Sequence, residues 1–295
     1  MAVSAYPSFC GKFILGGEHS VVYKGQALAI PLSQLRLSIE SIEESHNTSG
    51  TPGLWVNGTR HSSEHWELLQ ALVRMLKGPS AQIHSLHLRS TIPIGAGLGS
   101  SAALCATLAK YFYPELNGVE LAKLALSGER VFHAKPSGVD PYVVALEKPI
   151  VFQAQSQSYR ELDLNKFHDS GLKFVIVNTS QPHNTAKVIE KVSSLKEELP
   201  LLWSDLIDAL SQNADRMAHA LEQSPRLELG KLMNDTHFRL VQLGVSIEEI
   251  DDLVKNLRKA GALGAKLTGA GLGGAVVALF EADQIPALKQ EHFVV

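Results

Sequence analysis

The stretch PIGAGLGSSAA, residues 93–103, places three glycines and two serines directly ahead of an apolar run. Gly95, Gly97 and Gly99 carry no Cβ atom, so this loop is able to adopt positive φ angles and to turn its N–H groups toward one bound group. Such a concave row of donors favours an anion, and a phosphate is the natural guest. The alternative interpretation is a strand-to-helix turn whose glycines only permit tight packing.

Two serines of this stretch lie at the start of the helix that is predicted to follow. Ser100 or Ser101 is predicted to cap that helix, and its N-terminal N–H groups and positive dipole end attract the same anion. The loop fits neither of two familiar phosphate patterns. No Lys-Ser/Thr pair follows as in a P-loop, and Ser100 stands where a dinucleotide fingerprint requires its third glycine.

A second glycine-rich loop, TGAGLGG at residues 268–274, does match the pattern G-x-G-x-x-G at Gly269, Gly271 and Gly274. The apolar run AVVALF follows it and indicates a strand, whereas a dinucleotide site requires a helix at this point. The alternative reading is a hairpin-like turn whose glycines allow a close approach of backbones.

Composition limits the class of protein. The chain has 295 residues, 45% hydrophobic and 19% charged, and a net charge of -3, which is typical of a globular protein of one large or two ordinary domains. The 27 basic and 30 acidic residues give no electrostatic footprint for nucleic acid. Cys10 and Cys105 lie too far apart in sequence for a zinc motif, and a reducing cytoplasm is expected. Neither export nor membrane insertion is predicted, because no signal-like or spanning apolar segment is found.

Hydrophobic periodicity predicts a sheet-rich N-terminal part and a helix-rich C-terminal part. A polar stretch, residues 154–170, is predicted to join two lobes. Helices are predicted at 63–77, 101–113, 119–134, 184–195, 199–223 and 247–262, and strands at 12–17, 27–44, 81–94, 149–153, 171–179 and after the second glycine loop.

Three segments resemble, in order, the three motifs of the GHMP small-molecule kinases: CGKFILGGEHSVVYKGQALAIPL, PIGAGLGSSAA and KLTGAGLGGAVVAL. The segments GERVFHAKPSGVD, HNTAKVI and LMNDTHFRLVQLGVS are most similar to the members that phosphorylate mevalonate, and the resemblance spans nearly the whole chain. It implies an α+β GHMP kinase fold with an N-terminal S5-domain-2-like lobe, residues 1–165, and a C-terminal ferredoxin-like lobe, residues 166–295. The active site is expected in the cleft between the lobes.

The resemblance implies ATP- and Mg²⁺-dependent phosphorylation of mevalonate to 5-phosphomevalonate in isoprenoid precursor biosynthesis. Asp140 is implied to accept the proton of the alcohol, and Lys12 to lie near it and stabilise charge on the transferring group. Ser101 and Glu129 are implied to hold the metal. The implied partners are mevalonate and ATP, with no nucleic acid or membrane, and a homodimer is compatible with the family. The ATP phosphates are expected on Gly95, Ala96, Gly97, Leu98, Gly99, Ser100 and Ser101.

Glu18, His19 and Thr185 match the family's acceptor-binding residues, and His19 is expected to supply a donor or cation to a substrate carboxylate. Each site residue has an ordinary structural alternative. His19 would be a turn residue bonded to backbone, Thr185 part of a helix N-cap, Glu129 a solvated helix residue, and Asp140 a capping residue.

The sequence departs from the family pattern at positions that concern the identity of the phosphoryl acceptor more than the type of reaction. Cys10 stands where a proline is usual, and His183 stands where many relatives have an arginine, whose bidentate fork histidine lacks. Alternatives are therefore a kinase for phosphomevalonate, a sugar or an amino alcohol, a non-catalytic sensor, and a nicotinamide dehydrogenase. A sensor is disfavoured because the proposed reaction residues Lys12, Glu129 and Asp140 are all present.

Overall fold

The structure, a computed structural model, describes residues 6–44, 51–133, 135–181, 185–223 and 226–295. Two compact units share the chain. Unit 1 comprises Met1–Lys12, Pro31–Pro93 and Gly99–Lys148, and unit 2 comprises Phe13–Ile30, Ile94–Leu98 and Pro149–Val295. Each unit thus takes up segments that are distant in sequence, and the predicted lobe boundary after residue 165 stays a prediction.

The described residues form strands and helices in mixed order, as an α+β fold requires. The strands are β1 (Ser8–Gly16), β2 (Gln26–Glu43), β3 (Gly53–Val56), β4 (Thr59–Arg60), β5 (Ser85–Ser90), β6 (Ile150–Gln153), β7 (Ser158–Glu161), β8 (Leu172–Asn178), β9 (Gly264–Thr268), β10 (Ala275–Glu281) and β11 (His292–Val294). The helices are α1 (Ser63–Lys77), α2 (Ser100–Phe112), α3 (Gly118–Glu129), α4 (Val139–Leu146), α5 (Asn165–Asp169), α6 (Thr185–Glu198), α7 (Pro200–Gln223), α8 (Arg226–Gln242) and α9 (Glu248–Lys259). None of these helices has the length and apolar character needed to cross a membrane.

Unit 1 combines a sheet with four packed helices. The second half of β2 pairs antiparallel with β5, β5 pairs parallel with β3, and β3 pairs antiparallel with β4. In β2 the side chains of Leu35, Leu37 and Ile39 are buried while the intervening ones are more exposed, which is the period-two pattern of a strand with one covered face.

The helices of unit 1 approach closely at a glycine. Helix α3 contacts α1, α2 and α4. A Cβ atom on Gly128 would lie 2.7 Å from Leu72 Cδ1 of α1 and 3.0 Å from Cys105 Sγ of α2. An added methyl group would force Leu72 or Cys105 to shift, so this glycine allows the end of α3 to pack closely on α1 and α2.

The strands β1 to β7 belong to one seven-stranded sheet, and unit 2 contains part of it together with a second sheet of four strands. Residues 26–29 of β2 pair with β6, which pairs with β7. A separate antiparallel sheet has the order β11-β8-β10-β9. Its core is an apolar cluster of side chains from β8, β9, β10 and helices α6 to α9, among them Val175, Val177, Leu206, Leu210, Ile250, Leu267 and Phe280.

Most predicted elements are present, and helix α1 has the bounds that its periodicity predicts. It begins after Ser62, whose hydroxyl accepts a hydrogen bond from the His65 N–H. The polar stretch at 154–170 is not bare loop, because it holds β7 and α5 and lies within unit 2. Hydrophobic periodicity did not predict β3, β4, β9, β11, α4 or α8.

Candidate active site

In unit 1, strand β1 and helix α4 bring Lys12 and Asp140 together. Lys12 Nζ lies 2.9 Å from Asp140 Oδ2, and the side chains are 3% and 28% exposed. Asp140 is the second residue of α4, a helix that begins after Gly138 with φ of 97°. The ammonium group is therefore buried, while the carboxylate that it holds remains open to a ligand at the positive end of a helix.

The glycine loop supports the stem of this lysine. Gly99 precedes α2 with φ of 83°, and a Cβ atom there would lie 2.9 Å from Lys12 Cγ and 3.2 Å from Lys12 Cε. The predicted serine cap is wrong, because the residue at the N-cap position is Gly99 itself and no side chain caps the helix. Ser100 and Ser101 are already helical, and the Ser101 hydroxyl hydrogen-bonds the Glu129 carboxylate instead.

Gly99→Ala is expected to be destabilised by roughly 2–4 kcal/mol, because a left-handed alanine is strained and its methyl group collides with the Lys12 stem. Gly58→Ala is the matched control, since Gly58 has φ of 77° and nothing lies within 4 Å of the added carbon. Urea unfolding of both variants separates strain from collision. Equal destabilisation of the two would show that the contact with Lys12 carries no weight.

Glu129 ends helix α3 as a buried carboxylate. Burial raises its pKa to about 7, the charge of Asp140 adds to the rise, and the hydrogen bond from Ser101 and the charge of Lys12 oppose it. Cys105 Sγ lies 3.9 Å from Glu129 Oε1. The alternative of a solvated surface glutamate is therefore wrong: the Glu129 carboxylate is buried, hydrogen-bonds the Ser101 hydroxyl and is affected by the charge of Asp140.

In unit 2, the two glycine-rich segments lie against each other. A Cβ atom on Gly274 would lie 3.1 Å from the Ala96 carbonyl oxygen, and one on Gly97 would lie 3.9 Å from Gly269 Cα. The second loop joins the antiparallel strands β9 and β10, so the prediction that a strand follows it is confirmed. Gly95 and Gly97 have φ of 76° and 74°, as the sequence predicts.

Glu18 has a buried cationic partner that no local sequence pattern predicts. Lys266 of β9 donates to the Glu18 carboxylate, and the two side chains are 0% and 1% exposed. Its Nζ also lies 2.6 Å from the Leu267 carbonyl oxygen. Burial lowers the pKa of Lys266, and the charge of Glu18 opposes that shift. The ion pair and the hydrogen bond to Leu267 therefore hold the Lys266 and Glu18 side chains in one position.

His19 is not the cation that was considered for the substrate carboxylate. Its Nε2–H donates to the Ala270 carbonyl oxygen at 2.9 Å, and its backbone has φ of 63°. Burial lowers the pKa of the imidazole to about 4, although the hydrogen bond to Ala270 opposes this. His19 is therefore neutral at pH 7 and supplies no cation to a substrate carboxylate. Thr185 begins α6, its side chain lies outside the described part of the chain, and His183 lies outside the described residues.

Comparison with known proteins places this geometry in a family. The mevalonate kinase of Aeropyrum pernix is 31% identical over 97% of this chain and 91% of its own length. The family model for the GHMP kinases N terminal domain matches residues 65–148, and the model for the GHMP kinases C terminal matches residues 217–292. The chain belongs to the GHMP kinase family. GHMP kinases use ATP, so ATP is the phosphoryl donor.

Solved structures show the same GHMP kinase fold. The mevalonate kinase of L. major, in complex with R-mevalonate, superposes with a TM-score of 0.76 at 27% identity and covers 96% of this chain and 89% of that one. The Methanococcus jannaschii mevalonate kinase has a TM-score of 0.77 at 22% identity, with 99% and 98% covered, and supports the fold. The predicted α+β GHMP kinase fold is confirmed.

Proposed function

We propose that this GHMP kinase transfers the γ-phosphoryl group of ATP to the primary alcohol of mevalonate and forms 5-phosphomevalonate, an isoprenoid precursor, and ADP. The observation that carries the proposal is the ion pair between a buried Lys12 and an open Asp140, in a chain whose relatives are named mevalonate kinases. The free, buried cysteines Cys10 and Cys105 agree with a cytoplasmic location.

Asp140 is the proposed proton acceptor. Its carboxylate is open on one side and held by Lys12 Nζ on the other, so an alcohol that hydrogen-bonds to it is oriented for in-line attack on a phosphoryl group. As the bond to phosphorus forms, the hydroxyl proton passes to the carboxylate. The positive charge of Lys12 stabilises the negative charge that develops on the transferred group.

The triphosphate is proposed to lie along residues 95–101 and the start of α2. The glycines at 95, 97 and 99 all have positive φ, and α2 begins without a side-chain cap, an arrangement in which backbone N–H groups suit an anion. In unit 2 the backbone of the loop at 269–274 supports residues 96 and 97 from behind.

The Glu129 and Ser101 oxygens fit a magnesium ion. Burial has raised the pKa of Glu129 to about 7, so a cation there would offset the cost of the buried charge. Mg²⁺ takes one or two protein oxygens together with phosphates and water, and one carboxylate and one hydroxyl can supply the protein oxygens. When bound, Mg²⁺ would neutralise charge on the β- and γ-phosphate oxygens.

Glu129→Gln is expected to raise the Mg²⁺ concentration for half-maximal rate by roughly tenfold, because the amide keeps the shape of the side chain but loses its charge. Glu120→Gln, at an exposed position in the first turn of the same helix, is the control. Steady-state rates at saturating ATP over a magnesium titration give the comparison. An unchanged magnesium dependence in Glu129→Gln would remove this residue from the metal site.

Glu18, His19 and Thr185 are proposed to form the acceptor-binding site. Glu18 is buried against Lys266 and would hold this site in place, while His19 offers its Nδ1 as a hydrogen-bond acceptor because its Nε2–H is engaged with the Ala270 carbonyl oxygen. The cation for the substrate carboxylate must therefore be another residue, and His183 is the first position to examine.

The test is release of ADP from MgATP by the purified protein with mevalonate, phosphomevalonate, galactose or homoserine, and without acceptor. Turnover that depends on mevalonate, at least tenfold above every other acceptor in kcat/KM, is the expected result. A preference for another acceptor would keep the kinase and overturn the substrate, and ADP release that is equal with and without every acceptor would overturn the transfer itself.

A further inference from the structure

Glu147 lies at the end of the helix that carries Asp140, in an unusual backbone conformation. It is the C-terminal cap of α4 with φ of 50° and ψ of 37°, in the left-handed region, and its N–H donates to the Val143 carbonyl oxygen. Glycine adopts this conformation without strain and is the usual residue at such an end. A glutamate here is strained, so its side chain must make contacts that hold it.

Those contacts tie the helix to strand β1. Glu147 Oε1 accepts a hydrogen bond from the Cys10 N–H at 3.2 Å and pairs with Arg36 Nη2 at 2.8 Å. A proline at position 10 would have no N–H to donate. The same guanidinium of Arg36 reaches a second point of β1, because Nη2 donates to the Ser8 carbonyl oxygen at 2.7 Å and Nε to the Ser8 hydroxyl at 3.1 Å.

A clamp is formed by Glu147, Arg36 and the backbone of Ser8 and Cys10. It joins the same strand and helix that carry Lys12 and Asp140. Cys10 precedes Lys12 by two residues, one repeat of a strand, and Glu147 follows Asp140 by seven, close to two turns of helix. Helix α4 therefore meets β1 at two points, the Lys12 ammonium at one end and the Cys10 N–H at the other. Two points of attachment fix the register of the helix along the strand, which one ion pair does not.

We infer that Glu147 is a positioning residue for phosphoryl transfer, holding α4 in register on β1 so that Asp140 and Lys12 keep their mutual geometry. This inference rests on the proposed roles of Asp140 and Lys12 in the function above. Glu147 and Arg36 are each 38% exposed, and ion pairs at such exposure contribute little to stability. Loss of the clamp should therefore change the free energy of unfolding little. If the clamp positions Asp140, its loss should instead lower kcat.

Glu147→Gly separates the two roles, because it relieves the backbone strain while it deletes the clamp. We expect kcat to fall by about tenfold with KM for ATP and acceptor within twofold of wild type, since the alignment of reacting groups is lost and ground-state binding is kept. The melting temperature is expected to be unchanged or higher. Glu147→Gln keeps an oxygen for the Cys10 N–H and should retain at least half of the wild-type kcat, and Glu147→Ala is a second deletion variant.

The matched control is Glu44→Ala, which deletes an ion pair of the same unit with similar exposure, Lys77 and Glu44 at 41% and 40%. Its kcat should equal that of wild type. A wild-type kcat in Glu147→Gly and Glu147→Ala, with Asp140→Asn inactive, would overturn the positioning role and leave the proposed function intact. Full activity of Asp140→Asn would instead overturn the proposed function on which the inference rests.

Discussion

Asp140→Asn is expected to lower kcat at least a hundredfold, because an amide has nearly the shape of the carboxylate but cannot take the proton of the attacking alcohol. The amide oxygen still accepts a hydrogen bond from Lys12 Nζ, which lies 2.9 Å from the carboxylate. The fold should therefore persist, although the melting temperature should fall because the buried Lys12 ammonium has lost its counter-charge.

The measurement is single-turnover phosphoryl transfer at saturating MgATP and mevalonate, which excludes product release from the comparison. Circular dichroism and the melting temperature check the fold. Asp208→Asn, at an exposed position of α7, is the control for adding an asparagine. If the Asp140 variant is folded and turns over near the wild-type rate, the carboxylate is not the proton acceptor.

Lys266→Met should be the most destabilising single substitution of those considered, by roughly 3–5 kcal/mol, because it leaves the Glu18 carboxylate buried without a counter-charge. The methionine fills the space of the lysine stem, so little of this loss comes from packing. The double variant Lys266→Met/Glu18→Gln should recover most of the lost stability, since a neutral amide has no charge to compensate.

Urea unfolding of wild type, both single variants and the double variant gives the coupling free energy between the two positions. Lys77→Met is the control, because it removes a lysine from an exposed pair and should cost about 1 kcal/mol or less. Two results would show that the pair does not stabilise the fold. One is a double variant that is no more stable than Lys266→Met, and the other is a Lys266→Met variant as stable as Lys77→Met.

Local features of the sequence were enough for several elements and for the conformation of the glycine loop. The apolar residues of α1 recur at helical spacing, and Leu69, Leu72, Val73 and Leu76 are the ones that are buried. The glycines at 95, 97 and 99 have positive φ, a conformation that glycine adopts without strain, so their clustering predicted the shape of the loop. Both results depend on neighbours in sequence.

Features that depend on distant partners were not predictable in the same way. Lys266 and Glu18 are 248 positions apart, and the short strand that carries the lysine reads as part of the glycine loop. Helix α8 was not predicted because its hydrophobic residues do not follow one face of the helix. The polar Thr236 and His237 are buried, while the apolar Phe238 and Val241 are exposed. The neutral state of His19 follows from burial by residues that the local sequence does not contain. The pairing of Lys12 with Asp140 was expected through family resemblance alone.

The division of the chain between the two units has a consequence for synthesis on the ribosome. Unit 1 has all its segments once residue 148 has emerged, whereas residues 13–30 and 94–98 belong to a unit whose remainder begins at residue 149. Domains generally fold as they are completed during translation. The segment that contains Glu18 is therefore synthesised long before Lys266, its partner in the buried ion pair. A nascent chain stalled at a length at which residue 148 has just emerged from the ribosome should protect unit 1 from protease while residues 13–30 remain cleavable.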